Sequence, residues 1–150
     1  MKVRTIHRPK VRNDSQGQGH WQAKRGSRKH NGVDLEADVG SDIISEIEGT
    51  VTKLGFPYSQ KSLTTEKKRL KAAFRYVQIT DKDGYHHRFF YVNPSVLRYS
   101  EVKKDTVIGT AQDLTKPYPG MDNHVHYEVV TIVDGKKVFH DPNSFIELEN

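Results

Sequence analysis

Apolar residues in this chain recur in short, turn-bounded runs. Residues 43–47 (Ile-Ile-Ser-Glu-Ile) and 49–54 (Gly-Thr-Val-Thr-Lys-Leu) predict two strands, with Gly40 and Gly49 marking turns. Residues 74–80 alternate apolar and polar side chains. Asp81-Lys82-Asp83-Gly84 then supplies a hairpin turn, and residues 85–92 predict the return strand. A further strand is predicted at 107–111, and a last pair at 125–133 and 137–139 is joined through Asp134-Gly135. Residues 59–73 break the pattern: rich in Lys and Glu, with Leu63, Leu70, Ala72 and Ala73, they fit either a short helix or a polar loop. Thr64-Thr65 weighs against the helix. In both cases the segment reads as an insertion between two strands that covers one wall of a cleft. Many short strands with Gly-marked turns predict a mostly antiparallel β fold.

The chain has 150 residues, enough for one compact domain that buries about two thirds of its unfolded surface. It has no cysteine, so any metal must be held by His, Asp or Glu. Neither a signal-peptide pattern nor a run long enough to span a membrane is present, so membrane insertion is not expected. Work in a cell envelope, outside the cell or in a virion such as a phage particle would require release by another route. The net charge of +5 is uneven. Residues 1–30 hold nine Lys or Arg against the single acid Asp14, a net +8, which leaves −3 for the rest. The expected organisation is therefore a basic arm over 1–16 and one domain over 17–150. Lys2, Arg4, Arg8, Lys10 and Arg12 would attach the arm to an assembly partner or an anionic wall polymer. Nucleic-acid binding is not expected, because the basic residues lack aromatic interleaving and a nucleic-acid motif.

The candidate chemistry lies in two short segments, His30-Asn31-Gly32-Val33-Asp34 and Asn123-His124-Val125-His126-Tyr127. In a strand, residues two apart share a face, so His124 and His126 project side by side. Gly32 lets the backbone bend, or another segment approach, so that His30 and Asp34 converge. Two imidazoles and a carboxylate suit zinc with one coordination position left open, the arrangement of a catalytic site. His7, His20, His86, His87 and His140 read as ordinary surface or hydrogen-bonded histidines. Alternation sends His86 and His87 to opposite faces, without settling whether either approaches the metal.

These segments resemble the His-x-Gly-x-Asp and His-x-His motifs of the zinc metallopeptidase family M23, the lysostaphin or LytM type. The likeness extends through Gly40, residues 47–51, the region of Tyr91, residues 103–109 and Tyr127-Glu128-Val129, covering most of 17–133. It implies an open antiparallel sheet with a second small sheet and a zinc-containing groove. It also implies Zn2+ held by His30, Asp34 and His126, with His124 as a catalytic histidine. The implied substrates are peptide bonds in the stems or crossbridges of bacterial peptidoglycan.

One position departs from the pattern. Active members carry a second catalytic histidine in a Tyr-x-His segment, whereas this chain reads Tyr91-Val92-Asn93-Pro94. An amide at Asn93 can donate a hydrogen bond to an oxyanion but cannot shuttle a proton, a loss worth about 10²- to 10⁴-fold in rate. The segments at 18–25, 90–94, 118–121 and 124–126 also resemble the leukocyte cell-derived chemotaxin branch of this fold. That branch retains zinc and is regarded as non-catalytic; its cysteines and secretory start are missing here. Two functions follow from the resemblance: a weakened zinc endopeptidase using His124 and Asn93, or a non-catalytic zinc-stabilised binding or assembly module.

Overall fold

The computed structural model describes residues 10–14 and 17–146, together with the backbone of residues 2–3. The arm residues Arg4 and Arg8, and also His7, lie outside the described residues. Short strands come first: β1 (Lys2–Val3), β2 (Asn13–Asp14), β3 (Gly17–Gln18), β4 (Lys24–Arg25) and β5 (Arg28–Lys29). Next come β6 (Val33–Glu36), β7 (Asp42–Ser45), β8 (Gly49–Gly55) and the helix α1 (Glu66–Ala72). β9 (Tyr76–Thr80), β10 (His86–Phe90), β11 (Val92–Pro94) and β12 (Glu101–Val102) follow. The chain closes with β13 (Thr106–Ala111), β14 (His124–Val133) and β15 (Lys136–His140).

The main sheet has the order β12-β8-β9-β10-β14-β15, with β6 joining β14, and its pairs are antiparallel. The long β14 organises it. One edge of β14 pairs with β10, while its other edge takes β6 along its first half and β15 along its second. A second sheet, β1-β7-β13-β11, supplies the small sheet expected from the resemblance. Val33, Leu35, Val51, Val77, Ile79, Phe89, Val125 and Tyr127 of the main sheet form one core with Ile43, Val92 and Ile108 of the second. Fully burying an aliphatic or aromatic side chain of this size contributes about 1.5–3 kcal/mol.

Strand alternation then fixes the chemistry. Because Val125, Tyr127 and Val129 face the core, His124, His126 and Glu128 point to the other face of the sheet. That face is covered where the chemistry sits. The backbone of the N-terminal segment hydrogen-bonds to β6 at Arg12 N to Asp34 O and Asp34 N to Gly19 O, both across short distances.

Within the insertion the helix α1 covers only Glu66–Ala72, and residues 59–65 remain a loop. Thr65, half of the pair that weighs against a helix in the sequence, is the N-cap, its hydroxyl accepting from Lys68 N–H at 3.1 Å. The Asp81 turn also forms, with Oδ1 accepting from Asp83 N and Tyr85 N. At the Asp134-Gly135 turn both residues have positive φ, as a tight hairpin turn requires. Among the described residues no helix is long and apolar enough to cross a membrane.

Candidate metal centre

Strand register brings the two motif halves together: Asp34 on β6 is the direct cross-strand partner of His126 on β14. His30 reaches the same point from the loop before β6. That loop lies so close to β14 that a Cβ at Gly32 would collide with the Tyr127 carbonyl and crowd His126 and Glu128. Of the two roles open to Gly32, close approach is the one the fold uses.

His30 Nε2, His126 Nδ1 and Asp34 Oδ1 form a nearly equilateral triangle with sides of 3.0, 3.0 and 3.1 Å. A regular tetrahedron built on zinc bonds of about 2.0–2.1 Å has an edge of about 3.3 Å, so the triangle needs only a slight expansion to hold zinc on one face. The hydrogen-bond partners agree with this. His30 Nδ1 lies 3.0 Å from the His20 carbonyl and His126 Nε2 lies 2.9 Å from Glu128 Oε1. Both partners only accept, so these nitrogens carry the hydrogens and leave the lone pairs of His30 Nε2 and His126 Nδ1 aimed into the triangle. Two imidazole lone pairs 3.0 Å apart repel unless a cation stands between them. The donor set therefore fits zinc.

The electrostatics ask for a cation at the same point. Burial disfavours a charged His126, yet the flanking Asp34 and Glu128 carboxylates outweigh it and raise its pKa to about 9. Burial would raise the Asp34 carboxyl, but hydrogen bonds with His126 and His30 and the nearby His124 hold it well below its ordinary value. In the absence of metal, a proton on His126 supplies the positive charge that zinc would bring.

His124 lies beside the triangle, its Nε2 3.7 Å from Asp34 Oδ2. Its Nδ1 is 2.9 Å from the Asp122 carbonyl and must donate there, which leaves Nε2 as an acceptor facing the site. Burial pushes its pKa below the ordinary value while Asp34 opposes, so at neutral pH it is an uncharged base. Asn123 sets the start of β14, donating to the Ala37 and Gln112 carbonyls and accepting from Leu114 N.

The triangle opens into a cavity of about 530 Å³ whose walls include Tyr58, Tyr91 and Tyr118. A larger cavity of about 770 Å³ lies elsewhere, lined by acidic turns at Glu46, Glu48 and Asp81 and by no histidine. Tyr91 packs edge-on against His124 with ring centroids 5.6 Å apart, and its hydroxyl lies 3.0 Å from that of Tyr58. Tyr58 directly precedes the insertion. No residue of 59–73 lines the cavity, so the insertion does not itself form a wall as expected; it packs instead on the wall tyrosines, with Lys71 Nζ 4.4 Å above the Tyr58 ring and Lys67 Nζ 4.9 Å above that of Tyr118.

Asn93 is not brought to this wall. Tyr91 adopts a left-handed φ of 72° at the entry to β11, so that Tyr91 faces His124 while Asn93, paired with Thr110, is exposed and lines no part of the cavity. The expected use of Asn93 together with His124 is therefore not met by this placement. Nor do His86 and His87 approach the metal. His86 binds Thr80, and His87 is buried between the Tyr127 hydroxyl at 2.7 Å and Asp81 at 2.8 Å.

Arg12 is the residue whose place differs most from expectation. Expected to help attach the basic arm to a partner or wall polymer, it is instead 3 % exposed, its Nε 3.2 Å from Asp34 Oδ2 and its Nη1 2.9 Å from Asp14. It thus holds the carboxylate oxygen that faces away from the triangle. Glu128 was also missed, although its position two residues after His126 on the same strand face was a readable signal. It passes the chain of contacts on to Arg88 at 3.5 Å, and Arg88 donates to Gln78.

Comparison with known proteins gives the same picture. The family model for peptidase family M23 matches residues 28–140. Leukocyte cell-derived chemotaxin-2 of Mus musculus is 32 % identical over 115 residues, spanning 77 % of this chain and 69 % of that protein. A mutant catalytic domain of the prophage-encoded M23 protein EnpA from Enterococcus faecalis superposes with a TM-score of 0.60 at 19 % identity, covering 93 % of this chain and 94 % of that one. Lysostaphin from Staphylococcus simulans gives a TM-score of 0.61 at 16 % identity over 93 % of this chain and 54 % of its own. With the family model covering most of the sequence and the paired motif segments meeting in one site, the chain belongs to peptidase family M23.

Proposed function

We propose that this protein is a zinc-dependent endopeptidase that cleaves peptide bonds of bacterial peptidoglycan. The observation that carries the reading is the convergence of His30 Nε2, Asp34 Oδ1 and His126 Nδ1 beside a neutral His124 whose Nε2 faces an open cavity. His30, Asp34 and His126 would hold the ion. Zinc held there supplies Lewis acidity for a scissile carbonyl and for the attacking water. His124 accepts the proton of that water at Nε2 and returns it to the leaving amine, its ring kept in one tautomer by the Asp122 carbonyl. Tyr91 packs edge-on against this ring and limits its rotation. Tyr58 and Tyr91 narrow the solvent path above the triangle.

The test is release of stem or crossbridge peptides from purified peptidoglycan at matched zinc occupancy. Wild type releases peptide, zinc removal abolishes release, and His124→Ala lowers it by about 10²- to 10⁴-fold while retaining zinc. Absence of release by zinc-loaded wild type refutes the reading.

One observation favours a second reading, a non-catalytic zinc-stabilised binding or assembly module. Position 93 carries an amide where active members carry a histidine, and that amide stands outside the cavity lining. On the peptidase reading the enzyme is slow, and because Asn93 is exposed outside the cavity Asn93→His leaves its rate unchanged; a raised rate would show that position 93 does reach the site. A basic attachment through Lys2, Arg4, Arg8 and Lys10 is compatible with both readings. It is tested by salt-dependent binding to wall polymer before and after their replacement by Gln.

A further inference from the structure

The metal cavity continues into a basic groove at each end. At one end, Arg25, Arg28, His30 and His126 line both the cavity and an adjoining groove of about 440 Å³ that adds Lys29. At the other, Tyr58 is shared with a groove of about 400 Å³ lined by Lys61, Lys68 and Lys71. The triangle thus lies between two clusters of cations.

Apart from Arg25, whose Nη2 lies 3.7 Å from Asp34 Oδ2, these cations lack counter-charges among the described residues. Arg28 and Lys29 on the β4–β5 hairpin are exposed, and so are Lys61 and Lys68 of the insertion. Among the described residues none of the four forms an ion pair, and the Arg28 side chain makes no hydrogen bond. Lys68 Nζ reaches only Thr64 Oγ1 at 3.5 Å, and Lys71 Nζ lies 4.4 Å above the Tyr58 ring. The two carboxylates among the lining residues of the three spaces are already engaged: Asp34 with Arg12 and the histidines, Glu128 with His126 and Arg88. Unpaired cations on both flanks of a reaction point favour a ligand that is anionic on both sides of that point.

We propose that the groove selects an acidic peptide with a carboxylate on each side of the bond held over the metal, one met by Arg28 and Lys29 and the other by Lys61 and Lys68. The proposal rests on the peptidase reading for which bond lies over the triangle. A phosphate-bearing wall polymer offers the charge but no peptide bond for the centre of the groove. A run of glycines offers the bond but leaves both cation clusters unmatched. The substrate class within peptidoglycan is therefore the carboxylate-bearing stem peptide.

The experiment uses zinc-loaded full-length protein and three dye-labelled peptides of equal length, read by fluorescence anisotropy. One carries Glu on each side of the central dipeptide, the second carries Gln at the same places, and the third is all glycine. At low salt the Glu peptide binds about 3- to 30-fold more tightly than the Gln peptide, the range expected for two exposed ion pairs. The preference disappears near 1 M salt, where screening acts over about 3 Å. Arg28→Gln, and Lys61→Gln combined with Lys68→Gln, each lower affinity for the Glu peptide by about 2- to 5-fold and leave the Gln peptide unchanged. All three side chains are exposed, and zinc content confirms that the variants retain the site. Equal affinity for the Glu and Gln peptides, or Glu-peptide binding unaltered by both variants, overturns the proposal. Selective binding of the Glu peptide without its cleavage supports the groove and retires the peptidase reading. Equal cleavage and binding of all three peptides keeps the peptidase and removes the groove.

Discussion

Arg12→Met removes a guanidinium while keeping most of an apolar stem in its place. Arg12 is buried, and its charge meets Asp34 at 3.2 Å and Asp14 at 2.9 Å, with a further hydrogen bond to the Gly17 carbonyl at 3.2 Å. Removing one member of a buried ion pair costs about 3–5 kcal/mol, because the remaining charge is left without its partner. Asp34 keeps His30 and His126, which places the cost at the lower end, about 3 kcal/mol. For a protein of this size each kcal/mol lowers Tm by about 2–4 °C, so the variant should melt about 6–12 °C below wild type. Zinc partners the Asp34 charge directly, so the loss should be larger in EDTA than in zinc-loaded protein. Thermal melts followed by circular dichroism in both conditions measure this. A Tm unchanged within about 2 °C in EDTA would show that Arg12 is a solvated arm residue and that Asp34 does not depend on it.

Glu128→Gln replaces the charged acceptor of His126 Nε2 with a neutral one and should weaken zinc affinity by about 10- to 100-fold, measured by competition with a chelator; unaltered affinity would remove Glu128 from the site. Gly32→Ala puts a methyl group against the Tyr127 carbonyl, so it should displace the His30 loop, lower stability by about 1–3 kcal/mol and reduce bound zinc, read by denaturant titration and elemental analysis. Burial opposes ionisation of Asp81, but hydrogen bonds from His87 and from the Tyr85 and Asp83 amides prevail and lower its pKa below 3.8. Its stabilisation is therefore complete above 3.8 and lost as pH falls through the folded value. Asp81→Asn should lose less stability than wild type as pH falls below the ordinary carboxylate range, and parallel pH profiles would contradict this.

Much of the site was legible in the chain. The spacing His30-x-Gly32-x-Asp34 and the pair His124-x-His126 identify a ligand set because a short motif places its side chains by local geometry: alternation along a strand, and a residue small enough for close approach. The turns at 81–84 and 134–135 and most of the strands of the main sheet were equally local, since turn residues and period-two alternation act within a few positions. The strand β6 and the β4–β5 hairpin were not foreseen, being only four and two residues to a strand and too short for a period to show.

What the sequence left open depends on partners far away along the chain. Register between β6 and β14 pairs Asp34 with His126 across 92 positions, and no local pattern specifies which residues of two strands meet. The same holds for Arg12, whose basic neighbours make it look like part of a solvated arm until the fold sets a buried carboxylate beside it. At Tyr91, a left-handed backbone angle sustained by the surrounding packing puts a ring, and not the Asn93 amide, against His124. Two basic clusters more than 30 residues apart become the two ends of one groove in the same way. Residue types and spacing determined which atoms could bind a metal, because that capacity belongs to the side chains themselves; which of them converge, and what lies around them, was decided by long-range packing that lowers the free energy only when the whole sheet is assembled.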